Sequence, residues 1–278
     1  VLVTQGFDEN LPAFMQDDMG AGTEGMSQED MEIPRLKLMQ GLSPELQEIN
    51  ELRAGMFYHS AADHIFDGPF LAVPLLVDKR YVLWRPRDSG GGILARADDS
   101  VHWFPADQDF EVTLDRKDGG HKVIWRTAKT VKQSGLAEWG SMNPNDPKSP
   151  PAATLMYNYL LAFPEYPDMV PAVFTFQRSG IKAARKLNTK IKTIKAPIYG
   201  VVYEFKSVMD DDGRGNDFFN VQAQAYGRVT DEEVYAMYKG IHEAYSDKGM
   251  NIRDLESAQD EGMGANESEQ APAGAPSY

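Results

Sequence analysis

The chain contains no cysteine in its 278 residues, which removes disulfides and every zinc site built on thiolates. Near neither end does an uncharged apolar stretch approach the roughly 18 residues of a spanning helix, and residues 1–10 lack a basic n-region. These absences give the expectation of a cytoplasmic protein that is not exported and touches no membrane. There is no glycine-rich phosphate loop followed by Lys-Ser or Lys-Thr, no dinucleotide fingerprint and no zinc-protease helix. The five histidines (His59, His64, His102, His121, His242) have no partner histidine at i+3 or i+4, so each is expected on the surface or in the core rather than on a metal. Asp210, Asp211, Asp212 and Asp217 surround Gly213 and Gly215 and offer oxygen ligands for Ca²⁺. They lack the twelfth-position glutamate of an EF-hand and read as a polar hairpin tip. No pair of carboxylates stands out for catalysis, so binding is expected rather than an enzyme, and no cofactor is implied.

Bases are missing from both ends. The first 33 residues hold eight acids and no Lys or Arg, and residues 254–278 hold six acids and no base. Both stretches combine one-sign charge with Gly, Ser, Gln, Ala and Pro and show almost no periodic apolar face, which predicts a disordered acidic leader (1–33) and a disordered acidic tail (254–278). The net charge of -14 therefore belongs to the ends, because residues 34–253 carry 28 acids against 28 bases. Within that neutral middle no acid occurs between Asp168 and Glu204, an interval that holds Arg178, Lys182, Arg185, Lys186, Lys190, Lys192 and Lys195. Such a local positive stripe suits a phosphate backbone; the plainer alternative is a solvated amphipathic helix.

Residues 34–253 read as one β-rich domain. After a short extended run at 33–40, Ser43-Pro44 predicts a short helix with Leu46, Ile49 and Leu52 on one face. Strands are expected at 56–59, 70–77, 81–85, 110–114, 121–126, 155–163, 170–176, 198–208 and 218–226. Pro74 inside the second of the long runs points to an edge or a bulge. Gly119-Gly120 supplies the positive φ of a hairpin turn between the strands ending at 114 and starting at 121. Residues 140–151, crowded with proline and small polar residues, predict an exposed loop, and residues 89–92 (SGGG) a flexible one. Ile181, Ala184, Leu187, Ile191 and Ile194 predict a helix over 180–195 whose other faces hold the bases. Thr230-Asp-Glu-Glu233 reads as a capping box for a last helix through Tyr245. Many short strands with two or three helices argue a β-rich α+β fold, as an elaborated barrel or a sandwich.

Aromatic residues alternate along these strands, so that Phe174 shares a face with Phe176, Tyr157 with Tyr159, and Tyr199 with Tyr203 and Phe205. Such faces either fill a core or stack bases, at about 1–3 kcal/mol per base and without regard to sequence. Trp84 stands beside Arg85 and Arg87, and Trp125 between Lys122 and Arg126, placing rings next to cations.

The order of these parts is an acidic leader, residues 33–40 (IPRLKLMQ), a strand-rich middle, residues 171–187 (PAVFTFQRSGIKAARKL), and an acidic tail ending in Tyr278. It resembles phage-encoded single-stranded-DNA-binding proteins of the replication and recombination module. The resemblance covers most of residues 33–249 in layout and rests on no invariant signature. It implies an OB-like β-barrel, enlarged by loops and helices, acting in the host cytoplasm. It also implies a tail that competes with DNA for the basic groove or contacts the phage polymerase or helicase. Homo-oligomerisation is compatible with it. The expected phosphate contacts are Arg178, Lys182, Arg185, Lys186, Lys190 and Lys192, with Trp84 (beside Arg85), Trp125, Tyr157 and Tyr159 as stacking platforms. Two rivals are a phage structural or assembly component, whose basic helix is an interface element, and a Mg²⁺-dependent nuclease.

Overall fold

The structure is a computed structural model and describes residues 21–23, 25, 34–86, 89–114, 120–211 and 217–248. The chain divides into two units, Val1–Glu32 and Ile33–Tyr278, and every element below belongs to the second. Apart from residues 21–23 and 25, the acidic leader lies outside the described residues, as does the whole acidic tail.

Among the described residues, eleven strands and four α-helices follow in order: β1 (Leu36–Leu38), α1 (Glu45–Glu48), β2 (Phe57–His59), β3 (His64–Phe66), β4 (Phe70–Trp84), β5 (Ile93–Ala97), β6 (Asp109–Leu114), β7 (His121–Arg126), α2 (Val131–Ser134), β8 (Ala153–Ala162), β9 (Ala172–Gln177), α3 (Ile181–Ile194), β10 (Val201–Asp211), β11 (Asp217–Arg228) and α4 (Glu232–Lys248). The fold is β-rich α+β. Its main sheet runs β11-β10-β4-β8-β9, with β5 also on β4, while β1-β2-β3 and β6-β7 form small separate sheets. All of these strand pairs are antiparallel.

The main sheet is open, not closed into a barrel. Each of its outer edges is occupied by something other than the opposite edge. At β9, the Val173 N–H donates to the Pro34 carbonyl at 2.7 Å. At β11, the Gln40 carboxamide takes both the N–H and the C=O of Phe219 at 2.9 Å, Asn220 Oδ1 accepts from the Val221 N–H, and Lys190 Nζ donates to the Ala223 carbonyl at 2.6 Å. Side chains here block further strand pairing.

The two strands expected at 70–77 and 81–85 are one 15-residue strand, β4. The apolar pattern breaks at Asp78-Lys79-Arg80, yet Arg80 is only 4% exposed, its guanidinium held by Asp78 at 2.6 Å and Asp98 at 3.1 Å. Pro74 sits where the β4–β8 register shifts between Pro74 and Leu76, a bulge that accommodates a residue with no N–H.

Alternation along the strands gives the sheet two apolar faces. On one, Tyr159, Phe174, Phe176, Tyr203 and Phe205 pack under Ala184 and Leu187 of α3. On the other, Val73, Leu75, Leu160 and Val202 pack under Tyr238 of α4, with Val234 and Ile241 beside it. A third cluster joins Leu83, Ala95 and Ala153 to Val112, Val123 and Trp125 of the β6–β7 hairpin. Tyr199 departs from its expected place: it lies in a one-turn 3₁₀ segment before β10 and packs on Tyr235 and His242 of α4, not with Tyr203 and Phe205. The cap of α4 is Asp231, whose carboxylate accepts from the N–H groups of Glu233 (2.9 Å) and Val234 (3.0 Å); Thr230 was the residue expected there. Residues 140–151 form a loop closed on itself by Gly140 N–H to Ser149 O at 2.7 Å and Met142 N–H to Pro150 O at 3.1 Å.

Candidate nucleic-acid interface

Helix α3 follows from its apolar spacing. Ala184 and Leu187 are buried and Ile191 and Ile194 pack at the rim of the same cluster, which leaves the bases on the remaining faces. They do not form one stripe. Lys182, Lys186 and Lys190, four residues apart, line a trough of about 360 Å³ against β10 and β11, whose far wall includes Asp210, Asn220 and Gln222. Arg185 lies on the opposite flank, within electrostatic reach of Tyr81 on β4. Arg178 and Lys192 are exposed near the two ends of the helix; Arg178 opens a 3₁₀ turn at φ 49°, and Lys192 lies in the last turn, where the helix dipole favours a cation.

Among the described residues, Arg178, Lys182, Arg185, Lys186 and Lys192 have no carboxylate partner. The i,i+4 pairs Lys182–Lys186 and Lys186–Lys190 each oppose helix formation by about 0.2–0.5 kcal/mol, and Lys182 stands at the dipole end that disfavours cations. The Lys190 ammonium is offset by its bond to the Ala223 carbonyl, whereas Lys182 and Lys186 have no such partner among the described residues.

Beyond the Arg185 flank, the face of β4 and β8 lies between α3 and the β6–β7 hairpin. Lys79 is paired with Tyr157 across the β4–β8 register and Tyr81 with Leu155, one step along. Tyr81 is half-buried at the rim of the hairpin cluster and Tyr157 at the rim of the helix cluster. The Lys79 ammonium stands 5.5 Å from the centre of the Tyr81 ring, within cation–π range. Burial pushes the Tyr81 hydroxyl above its ordinary value; the neighbouring Tyr157 adds to this and the Arg185 guanidinium pulls it partly back. The stretch of sheet face left between helix and hairpin, the tyrosine crevice, thus holds two half-buried rings, with Lys79 and Arg185 both beside Tyr81.

Two expected platforms are corrected. Trp125 is 2% exposed, with its indole N–H spent on the Met142 carbonyl at 3.1 Å, and Tyr159 is 0% exposed, with its hydroxyl donating to Asn188 Oδ1 at 2.5 Å. Both are core, because the hairpin and α3 cover them. Lys190 is also tied down, by the Ala223 carbonyl. Trp84 is half-buried near the turn that joins β4 to β5, as is Arg85; the indole nitrogen of Trp84 is enclosed without a hydrogen-bond partner among the described residues. That turn is less free than its glycines suggest, since the Ser89 hydroxyl both accepts from the Thr113 N–H (2.7 Å) and donates to the Thr113 carbonyl (2.9 Å). Arg87, Asp212 and the tip of the β6–β7 hairpin lie outside the described residues. Among those described, no group of carboxylates and histidines is placed to hold a metal ion, and no helix is long and apolar enough to cross a membrane.

Lys79 is not singled out by the charge pattern, because it stands between Asp78 and Arg80 in the gap between the strands expected at 70–77 and 81–85. The signal was present in the period of two, Val77-x-Lys79-x-Tyr81, which puts it beside the ring.

Fold and site together define a β-rich α+β protein with an open antiparallel sheet and a helix that carries cations on both flanks. Residues 4–251 match the family of Pam3 phage gp34-like proteins, and the chain belongs to that family of phage proteins. No curated protein and no solved structure matches it.

Proposed function

We propose that this phage protein binds single-stranded DNA without sequence preference, in phage replication or recombination, with bases stacked on Tyr81 and Tyr157 and phosphates held by Lys79 and Arg185. The observation that carries the reading is the set of side chains gathered there: two half-buried tyrosines, Tyr81 and Tyr157, with Lys79 and Arg185 beside Tyr81, on the sheet face between a helix and a hairpin. A base reaches a ring in such a crevice only when it is free of its own stack and complement, which favours a single strand over a duplex. The reading requires no bond to be made or broken. The acidic tail would compete for the same cations or dock on the phage polymerase or helicase, in the host cytoplasm.

Replacing Tyr157 by Ala should weaken binding of a homopolymeric oligonucleotide by about 1–3 kcal/mol per base unstacked, and, since the ring also packs at the rim of the helix cluster, lower the melting temperature while leaving the chain folded at the assay temperature. Fluorescence anisotropy measures the first and thermal denaturation the second. Wild-type affinity in a folded Y157A variant would contradict the crevice as the binding site.

One observation favours the assembly reading instead. Phe104 is 82% exposed and Val101, on the same loop, is also exposed; exposed apolar side chains mark protein contacts when they cluster. Salt-insensitive formation of large regular assemblies, lost in F104S, would support that reading.

A further inference from the structure

The trough on the other flank of α3 is not part of the tyrosine crevice. Lys182 and Lys186 line it and are exposed, with no carboxylate partner among the described residues. The one acid on its wall, Asp210, is held by its own strands: its Oδ2 accepts from Asn220 Nδ2 at 3.1 Å and its Oδ1 from the Asp211 N–H at 3.1 Å. Further along the helix, Lys190 also borders a second hollow, with Thr189, Thr193, Gln224 and Ala225. The two hollows follow one another along α3, which at 1.5 Å per residue is about 21 Å long for its 14 residues, as a channel interrupted at Lys190, whose ammonium reaches across to the Ala223 carbonyl at 2.6 Å. The helix wall of the first hollow is cationic, with Gln222 on the β11 side, while the second has Thr189, Thr193 and Ile194 on the helix side and Gln224 on the β11 side.

We infer that this channel is a second phosphate-binding site, taking the sugar–phosphate backbone of the same single strand on the far side of α3 from the tyrosine crevice. The inference rests on the single-strand reading above and adds to it a strand path that crosses the helix. A wall of lysines opposite carboxamides suits a phosphodiester, because ammonium groups neutralise the phosphate and carboxamides donate to its oxygens without adding charge. No ring lines the channel, so it holds backbone without stacking bases.

The test uses the full chain, with K182Q/K186Q and, separately, Q222E, which places a carboxylate on the opposite wall. Binding of a long and a short deoxythymidine oligonucleotide is followed by anisotropy over a salt series; the short one spans the crevice alone. For the long oligonucleotide, K182Q/K186Q should lower the slope of log K against log salt by about 1.4, at roughly 0.7 per phosphate contact. Q222E should weaken it in the same direction, and neither variant should change binding of the short one. If wild type binds and both variants keep its slope with the long oligonucleotide, the channel does not hold DNA and only the inference falls. Equal loss with short and long oligonucleotides also overturns it, because the lysines then belong to the crevice. If wild type binds neither oligonucleotide at low salt, the single-strand reading itself fails and the inference falls with it.

Discussion

Tyr157 and Tyr159 stand two residues apart on β8 and share a face, yet one belongs to the crevice and the other to the core. The difference lies in what covers them. Asn188 of α3 receives the Tyr159 hydroxyl, whereas Tyr157 emerges at the helix edge beside Tyr81. Alternation in the sequence identifies the face of a strand but not which part of that face a later helix will cover. The same limit applies to Trp125, which is flanked by bases in sequence but points away from them, as the period of two requires. Truncating Trp125 to Ala should cost about 3–5 kcal/mol of stability, measured by urea unfolding, and a folded fraction should keep the wild-type salt slope for DNA. A changed slope without lost stability would return Trp125 to the surface. His59 carries a second prediction at this scale. Its Nδ1 accepts from the Ala62 N–H at 3.1 Å and its Nε2 faces the Val170 carbonyl at 2.9 Å, so the ring is neutral with its proton on Nε2. Burial lowers its pKa below the ordinary value, and burial together with His59 lowers that of His64, its cross-strand partner. The unfolded chain therefore takes up protons first as pH falls. Stability is full above the unfolded histidine value of about 6.5 and declines as pH drops through it toward the lower folded values. Urea midpoints at pH 8 and pH 5.5 check this, and H59Q should flatten part of the difference.

At the scale of elements, the sequence showed those with a long or regular apolar period. The helices at 181–194 and 232–248 and the β6–β7 hairpin lie where their patterns placed them, and β10–β11 pair as expected, with β10 starting three residues later than its pattern suggests because 198–200 form a 3₁₀ turn. What was not legible depends on tertiary partners. β4 runs unbroken through Asp78-Lys79-Arg80 because Arg80 is buried between two carboxylates. The strands β3 and β5 have only three and five residues, too short for a period to declare itself, and exist because β2 and β4 offer them an edge. The β2 hairpin is joined to the long ribbon by close packing: Gly55, at φ 90°, lies so near the Phe219 ring that an added Cβ would fall 2.6 Å from it. The start of α4 turns on a choice between neighbours that spacing alone did not separate. Asp231→Ala removes two hydrogen bonds to the first turn and should cost about 0.5–2 kcal/mol, while Thr230→Ala should cost little. Comparing the two by thermal denaturation decides which residue caps the helix, and equal effects would contradict the assignment to Asp231.

For the whole molecule, the sign of the net charge says little about where the cations gather. The excess of 14 acids is carried by stretches of the chain with no Lys or Arg, and the remainder is balanced. Within that remainder the fold gathers onto one helix cations that, Lys190 apart, have no partner among the described residues, and sets two tyrosines beside it. Long-range attraction of a polyanion responds to such local arrangement more than to the total. The central claim is that this arrangement holds single-stranded DNA. The most direct measurement is anisotropy of a labelled homopolymer, single-stranded and as duplex, titrated with the full chain over a salt series. The account predicts binding to the single strand that weakens linearly in log salt, with duplex bound more weakly at every salt concentration. Absence of binding at low salt, or equal affinity for the duplex, would contradict it.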